Sequence, residues 1–144
     1  MKIMFLCTGN SCRSQMAEAL VREEGKGLYE VHSAGLSPGL VNPRAVDVMR
    51  EIGIDISKQR SKGIHPELLG RMDVVITLCG HAEDLCPVTP PGIRRLHWPV
   101  EDPAPSQGTE VEILDAFRRA RDDIRKRIGR FIEENPTSGS RQCS

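Results

Sequence analysis

Residues 3–6 form an unbroken apolar run behind Lys2 that stops at Cys7-Thr8-Gly9, so the pattern predicts a short strand over 2–6 followed by a turn. From Ser14 the apolar positions Met16, Ala17, Leu20 and Val21 fall at helical spacing until Gly25 and Gly27 interrupt them. Residues 29–33 alternate as a strand does, up to Gly35. Asn42-Pro43 then supplies a helix cap and a first-turn proline, with Ala45, Val46, Met49 and Ile52 on one face and Gly53 closing it. Residues 72–78 are β-branched and nearly continuous in apolarity, as expected of a central strand buried on both faces. A shorter fourth strand is expected over 94–98. A long helix is expected over 109–133, with Leu114, Phe117, Ile124, Ile128 and Phe131 inward and mixed, solvated charge outward. Residues 135–144 are polar, carry Pro136 and Gly139, and are expected to form a flexible tail behind a domain of residues 1–134.

Strands alternating with helices imply an α/β fold with a parallel sheet, right-handed crossovers and helices on both faces. In such a sheet ligands bind at the carboxyl ends of the strands. The chain has 144 residues, 38% of them hydrophobic, and 20 basic against 20 acidic side chains, which fits one soluble domain. No apolar run reaches the roughly 18 residues of a membrane span, and 3–6 is too short for a signal-peptide core, so a cytoplasmic location is expected. Balanced charge and one Trp, one Tyr and three Phe argue against nucleic acid as a partner. Five cysteines without a secretory signal point to chemistry or metal binding rather than to a disulfide framework.

The first strand delivers Cys7-Thr8-Gly9-Asn10-Ser11-Cys12-Arg13-Ser14 to the carboxyl edge just where a helix begins. Backbone N–H groups of such a loop can wrap a tetrahedral anion, with Gly9 granting unusual dihedrals and the helix dipole favouring negative charge. Arg13 can add two parallel hydrogen bonds to the anion. The same positive field favours the thiolate of Cys7, and Ser14 can hydrogen-bond it, so Cys7 reads as a nucleophile at the bottom of an anion cup. Cys12 reads either as part of the cradle or as a small packed residue.

The segment CTGNSCRSQMAEA resembles the nucleophile loop of the low-molecular-weight phosphotyrosine phosphatase fold family, and most of all that of the arsenate reductases sharing this fold. The resemblance covers residues 1 to about 134 and implies a single-domain, four-stranded parallel sheet flanked by helices. Asp102-Pro103, which by itself also reads as a turn, matches the family's Asp-Pro and makes Asp102, rather than Glu101, the expected general acid.

The choice of reaction turns on Cys79 and Cys86. From the residues alone, zinc binding with His81 and His97, or two inert buried thiols, stay open. His32 and His65 read as surface or internally satisfied residues. The pair Cys79 and Cys86 matches the second and third cysteines of thioredoxin-coupled arsenate reductases, which implies a redox disulfide between them, no bound cofactor or metal, and electrons from reduced thioredoxin. The reading is a monomeric arsenate reductase, with phosphate or sulfate as competing oxyanions and with Cys12 and Cys143 dispensable or modulatory. The alternatives are a tyrosine phosphatase and a non-enzymatic, thiol-based arsenite- or zinc-binding protein. Against the phosphatase, Ala104 stands where that family has an aromatic that contacts the substrate ring.

Some family members bind potassium through Asn, Glu, Ser and Asp. Asn10, Glu18 and Ser33 match the first three, but Lys62 stands at the Asp position, so no potassium is assigned. If residues 79–86 are helical, their ends lie about 10.5 Å apart. A disulfide needs roughly 4.4 to 6.8 Å between Cα atoms. Closing it therefore requires that helix to open between Gly80 and Pro87.

Overall fold

The computed structural model describes residues 1–7, 12–35, 39–78 and 91–136. The elements run β1 (Lys2–Cys7), α1 (Arg13–Glu24), β2 (Glu30–Gly35), α2 (Pro43–Arg50), α3 (Pro66–Leu69), β3 (Val74–Thr77), β4 (Arg94–His97) and α4 (Glu110–Glu134). The four strands form one sheet in the order β2-β1-β3-β4, all parallel. Because β1 and β3 lie inside that order and are covered on both faces, every residue from Ile3 to Cys7 and from Val74 to Thr77 is buried. Edge strand β4 is half exposed instead.

The larger core lies on one face, where Ile3, Phe5 and Ile76 of the sheet meet Met16 and Leu20 of α1, Val48 and Met49 of α2, and Phe117, Ile124, Ile128 and Phe131 of α4. Trimming one of these rings to alanine costs about 3–5 kcal/mol. On the opposite face Met4, Leu6 and Val75 pack with Leu69 of α3 and with Met72. The helix α3, only four residues long, is too short to show a period and is absent from the sequence expectation.

Local chemistry explains the helix ends. The Asn42 side chain accepts from the Arg44 N–H at 2.9 Å with Pro43 in the first turn, and Gly53 takes φ +80° just past α2. Thr109 and Glu112 form a reciprocal capping box at α4, beside Gly108 at φ +123°.

Two expected faces are corrected. In α2 the fully buried residues are Ala45, Val48 and Met49, whereas Val46 is only partly buried and Ile52 lies beyond the helix, because α2 packs against α4 as well as the sheet. In α4 one of the charges assigned to solvent is not there: Arg121 is buried, donating to the Val48 carbonyl at 2.8 Å and to Glu51 at 2.8 Å. Asn135, expected to begin the flexible tail, is tied down by Tyr29, whose hydroxyl donates to its carbonyl at 2.7 Å, and by Arg94. The rest of that tail from residue 137 lies outside the described residues. Among the described residues no helix is long and apolar enough to cross a membrane.

Candidate active site

All four strands point their carboxyl ends the same way, so Cys7 of β1, Gly35 of β2, Leu78 beyond β3 and the segment after His97 share one edge. In that register Cys7 lies opposite Gly35, and the Leu78 N–H continues the ladder to the Leu6 carbonyl at 2.9 Å. The Cys7 side chain is 2% exposed, and its Sγ lies 2.8 Å from the Ser14 Oγ. Ser14 reaches it because α1 starts at Arg13 and its first turn sits under the end of β1. That first turn holds no acidic residue, so nothing in it offsets the positive end of the helix dipole.

Arg13, although charged, is 6% exposed. Its Nη1 donates to the Val100 carbonyl at 2.9 Å, and its Nη2 lies 3.5 Å from Asp102 Oδ2. The loop after β4 is itself held to the sheet: the Trp98 N–H donates to the Thr77 carbonyl at 2.8 Å and the Val100 N–H to the Leu78 carbonyl at 2.9 Å. Trp98 is wedged between Phe5 and Phe131, with ring centroids 6.1 and 5.8 Å away. Asp102 Oδ1 accepts the Ala104 N–H at 3.0 Å, so this residue makes the turn that its Asp-Pro sequence suggests and also faces Arg13. A cavity of about 200 Å³ opens beside it, lined by Glu101, Asp102 and Ser106 of the loop and by Arg119 and Asp123 of α4.

Cys12 precedes α1 and is buried. Burial, reinforced by the nearby charges of Asp102 and Cys7 and opposed by Arg13, drives its thiol far above the ordinary cysteine range, so it stays protonated.

Behind the cup, Glu18 on α1 is 3% exposed and accepts from the Ser33 hydroxyl at 2.6 Å. Arg22 pairs with its other oxygen at 2.6 Å, and Lys62 Nζ stands 3.5 Å from the first. Glu18, Ser33 and Lys62 therefore do converge, with the ammonium at the corner where an acid was expected for a cation site. Gln15, fully buried, donates to the Arg60 carbonyl at 2.8 Å and accepts from Gln59 at 2.6 Å, which binds the 59–62 segment to the start of α1.

The structure thus brings together Cys7, Cys12, Arg13, Ser14 and Asp102. Thr8, Gly9, Asn10 and Ser11 of the expected cradle, and Cys79 and Cys86 of the expected disulfide, lie outside the described residues. His81 does too. His97, the other histidine of the zinc alternative, has its Nδ1 2.7 Å from the Thr77 hydroxyl. No group of three His, Cys, Asp or Glu side chains gathers to hold a metal among the described residues. The Val100 carbonyl, the Gln15–Gln59 pair and Arg22 are parts of this site that the sequence did not reveal. The first two act through partners far away in the chain, which no local spacing encodes, whereas Arg22 meets Glu18 one helical turn away.

The chain matches the family model for low molecular weight phosphotyrosine protein phosphatase over residues 2–138. It is 54% identical over 131 residues to an arsenate reductase of Halalkalibacterium halodurans, an alignment covering 91% of this chain and 94% of the relative. Among solved structures it is similar to an arsenate reductase in the phosphate binding state, with TM-score 0.76 and 38% identity over 92% of this chain and 97% of the other. It is also similar to a low molecular weight protein tyrosine phosphatase from T. tengcongensis, with TM-score 0.81 and 28% identity over 94% and 99% of the two chains.

Proposed function

The chain belongs to the low molecular weight phosphotyrosine protein phosphatase family, and within it we propose that it is an arsenate reductase. The observation that carries this reading is the assembly of Cys7, Ser14, Arg13 and Asp102 at one strand end, in a chain half identical to an arsenate reductase along nearly all its length. Exposed Ala104 beside the acid leaves no aromatic wall there for a phosphotyrosine ring, which favours a small inorganic oxyanion.

Arsenate binds in the cradle formed by residues 8–13. The Cys7 thiolate, hydrogen-bonded by Ser14, attacks arsenic; a sulfur–arsenic bond forms and an arsenic–oxygen bond breaks, with Asp102 protonating the departing oxygen, which leaves as water. Cys79 attacks the Cys7 sulfur. The electron pair of the sulfur–arsenic bond goes to arsenic, which leaves as arsenite, and a Cys7–Cys79 disulfide remains. Cys86 then attacks Cys79, freeing Cys7 and leaving a Cys79–Cys86 disulfide that the dithiol of reduced thioredoxin reduces. Phosphorus(V) has no such two-electron reduction available, so a phosphate adduct on Cys7 can only be hydrolysed, which gives a slow phosphatase side reaction. The cycle needs no bound cofactor or metal, suits a monomer, and belongs in the cytoplasm, where thioredoxin keeps thiols reduced.

The test is a coupled assay of NADPH, thioredoxin reductase, thioredoxin and this protein. Arsenate should drive stoichiometric NADPH oxidation and arsenite release, whereas phosphate should drive none. NADPH oxidation that does not depend on arsenate, or arsenate without effect, would remove the proposal.

A further inference from the structure

Arg13 and Asp102 face each other where the substrate has to bind. The Asp102 carboxylate accepts the Ala104 N–H with one oxygen and lies 3.5 Å from Arg13 Nη2 with the other. Both are contacts that an ionised carboxylate makes, yet the reaction needs Asp102 to arrive with a proton. The ion pair is loose, and the Asp102 side chain is 44% exposed, so the pair is weakly held. Arg13 is held differently: its other terminal nitrogen is anchored on the Val100 carbonyl, whose own N–H is bonded to Leu78 at the end of β3. An incoming dianion can therefore take Arg13 from Asp102 while Val100 keeps the guanidinium in place.

We propose that the oxyanion itself arms the proton donor: on binding it displaces Asp102 from Arg13, and the released carboxylate, now beside a dianion, takes a proton from solvent that it later gives to the departing oxygen. The inference rests on the arsenate reductase reading. It gives Arg13 two successive partners and makes Val100 a positioning residue. It also explains how an acid half open to water is protonated only when there is something to protonate. Asp102 is a carboxylate again once its proton has gone to the departing oxygen, and release of arsenite, neutral near pH 7, lets the Arg13–Asp102 pair re-form.

The other charged groups around Asp102 are Glu101 on its own loop and Arg119 and Asp123 on α4. Cys7 and Cys12 lie toward Arg13, and the Cys12 thiol stays protonated. Sulfate separates these contributions because it is a tetrahedral dianion with no proton to exchange near neutral pH. Titrated by calorimetry into Cys7→Ser protein, in buffers of different ionisation heat, sulfate should bind with proton uptake that peaks near one per anion. The uptake should persist in Cys7→Ser/Glu101→Gln and vanish in Cys7→Ser/Asp102→Asn. The Asp102→Asn protein should also bind sulfate more tightly, since Asn does not compete for Arg13 by charge. Sulfate binding without proton uptake, uptake that survives Asp102→Asn, or weaker sulfate binding in that variant would overturn the exchange and leave the arsenate reductase reading standing. Failure of sulfate to bind the Cys7→Ser protein would overturn the cradle and the exchange together.

Discussion

The Cys7 sulfur and the Ser14 hydroxyl oxygen lie 2.8 Å apart in a part of the molecule closed to solvent. One residue ends a strand and the other sits in the first turn of the next helix, so the contact holds the Cys7 sulfur against the positive end of α1. When Cys7 is a thiolate, only Ser14 can donate.

Ser14→Ala removes that donor. A hydrogen bond to a charged group contributes roughly 1.5–3 kcal/mol. The first arsenate turnover should therefore slow by about 10- to 100-fold. A rapid-quench measurement of the first turnover checks this; an unchanged rate would show that Ser14 only packs.

Glu51 joins α2 to α4 through Arg118 and Arg121, at 2.7 and 2.8 Å. Its hydrogen bond with Arg118, with Arg121 adding to it, pulls the carboxyl from an ordinary 4.5 down to about 2. A carboxyl lowered on folding contributes stability that is complete above its unfolded value and is lost as pH falls toward its folded one. Glu51→Gln should then cost ~1 kcal/mol near pH 7, screening by solvent included. The gap from wild type should close between about pH 5 and pH 2. Denaturant melts at a series of pH values measure it; a gap constant with pH would dismiss the ion pairs as its source.

Lys62 should stand in for a metal cation at Glu18, which it neutralises together with Arg22. Turnover and melting temperature should be nearly equal in potassium and sodium salts at matched ionic strength. A large potassium-specific gain in either would contradict this.

Much of the scaffold was legible because its burial is local in origin. The apolar runs of β1 and β3 announce strands covered on both faces, and Asn42-Pro43 and Thr109 announce helix starts through bonds made within three residues. The meeting of Cys7, Arg13 and Ser14 was legible for the same reason, as they are neighbours in one stretch of chain. What stayed hidden depends on distant partners. Arg121 read as part of the solvated outer face until Val48 and Glu51 were seen to receive it, and nothing local to Gln15 points to Arg60 and Gln59, which close over it. Val46 and Val48 are indistinguishable by type; the position of α4 decides between them.

The three-thiol relay is tested most directly by Cys86→Ser. Without the third thiol the cycle should stop after one arsenite per protein, with a Cys7–Cys79 disulfide recovered by peptide mass mapping and no continued oxidation of NADPH through thioredoxin. Sustained thioredoxin-coupled turnover by Cys86→Ser, with no Cys7–Cys79 disulfide, would contradict the relay.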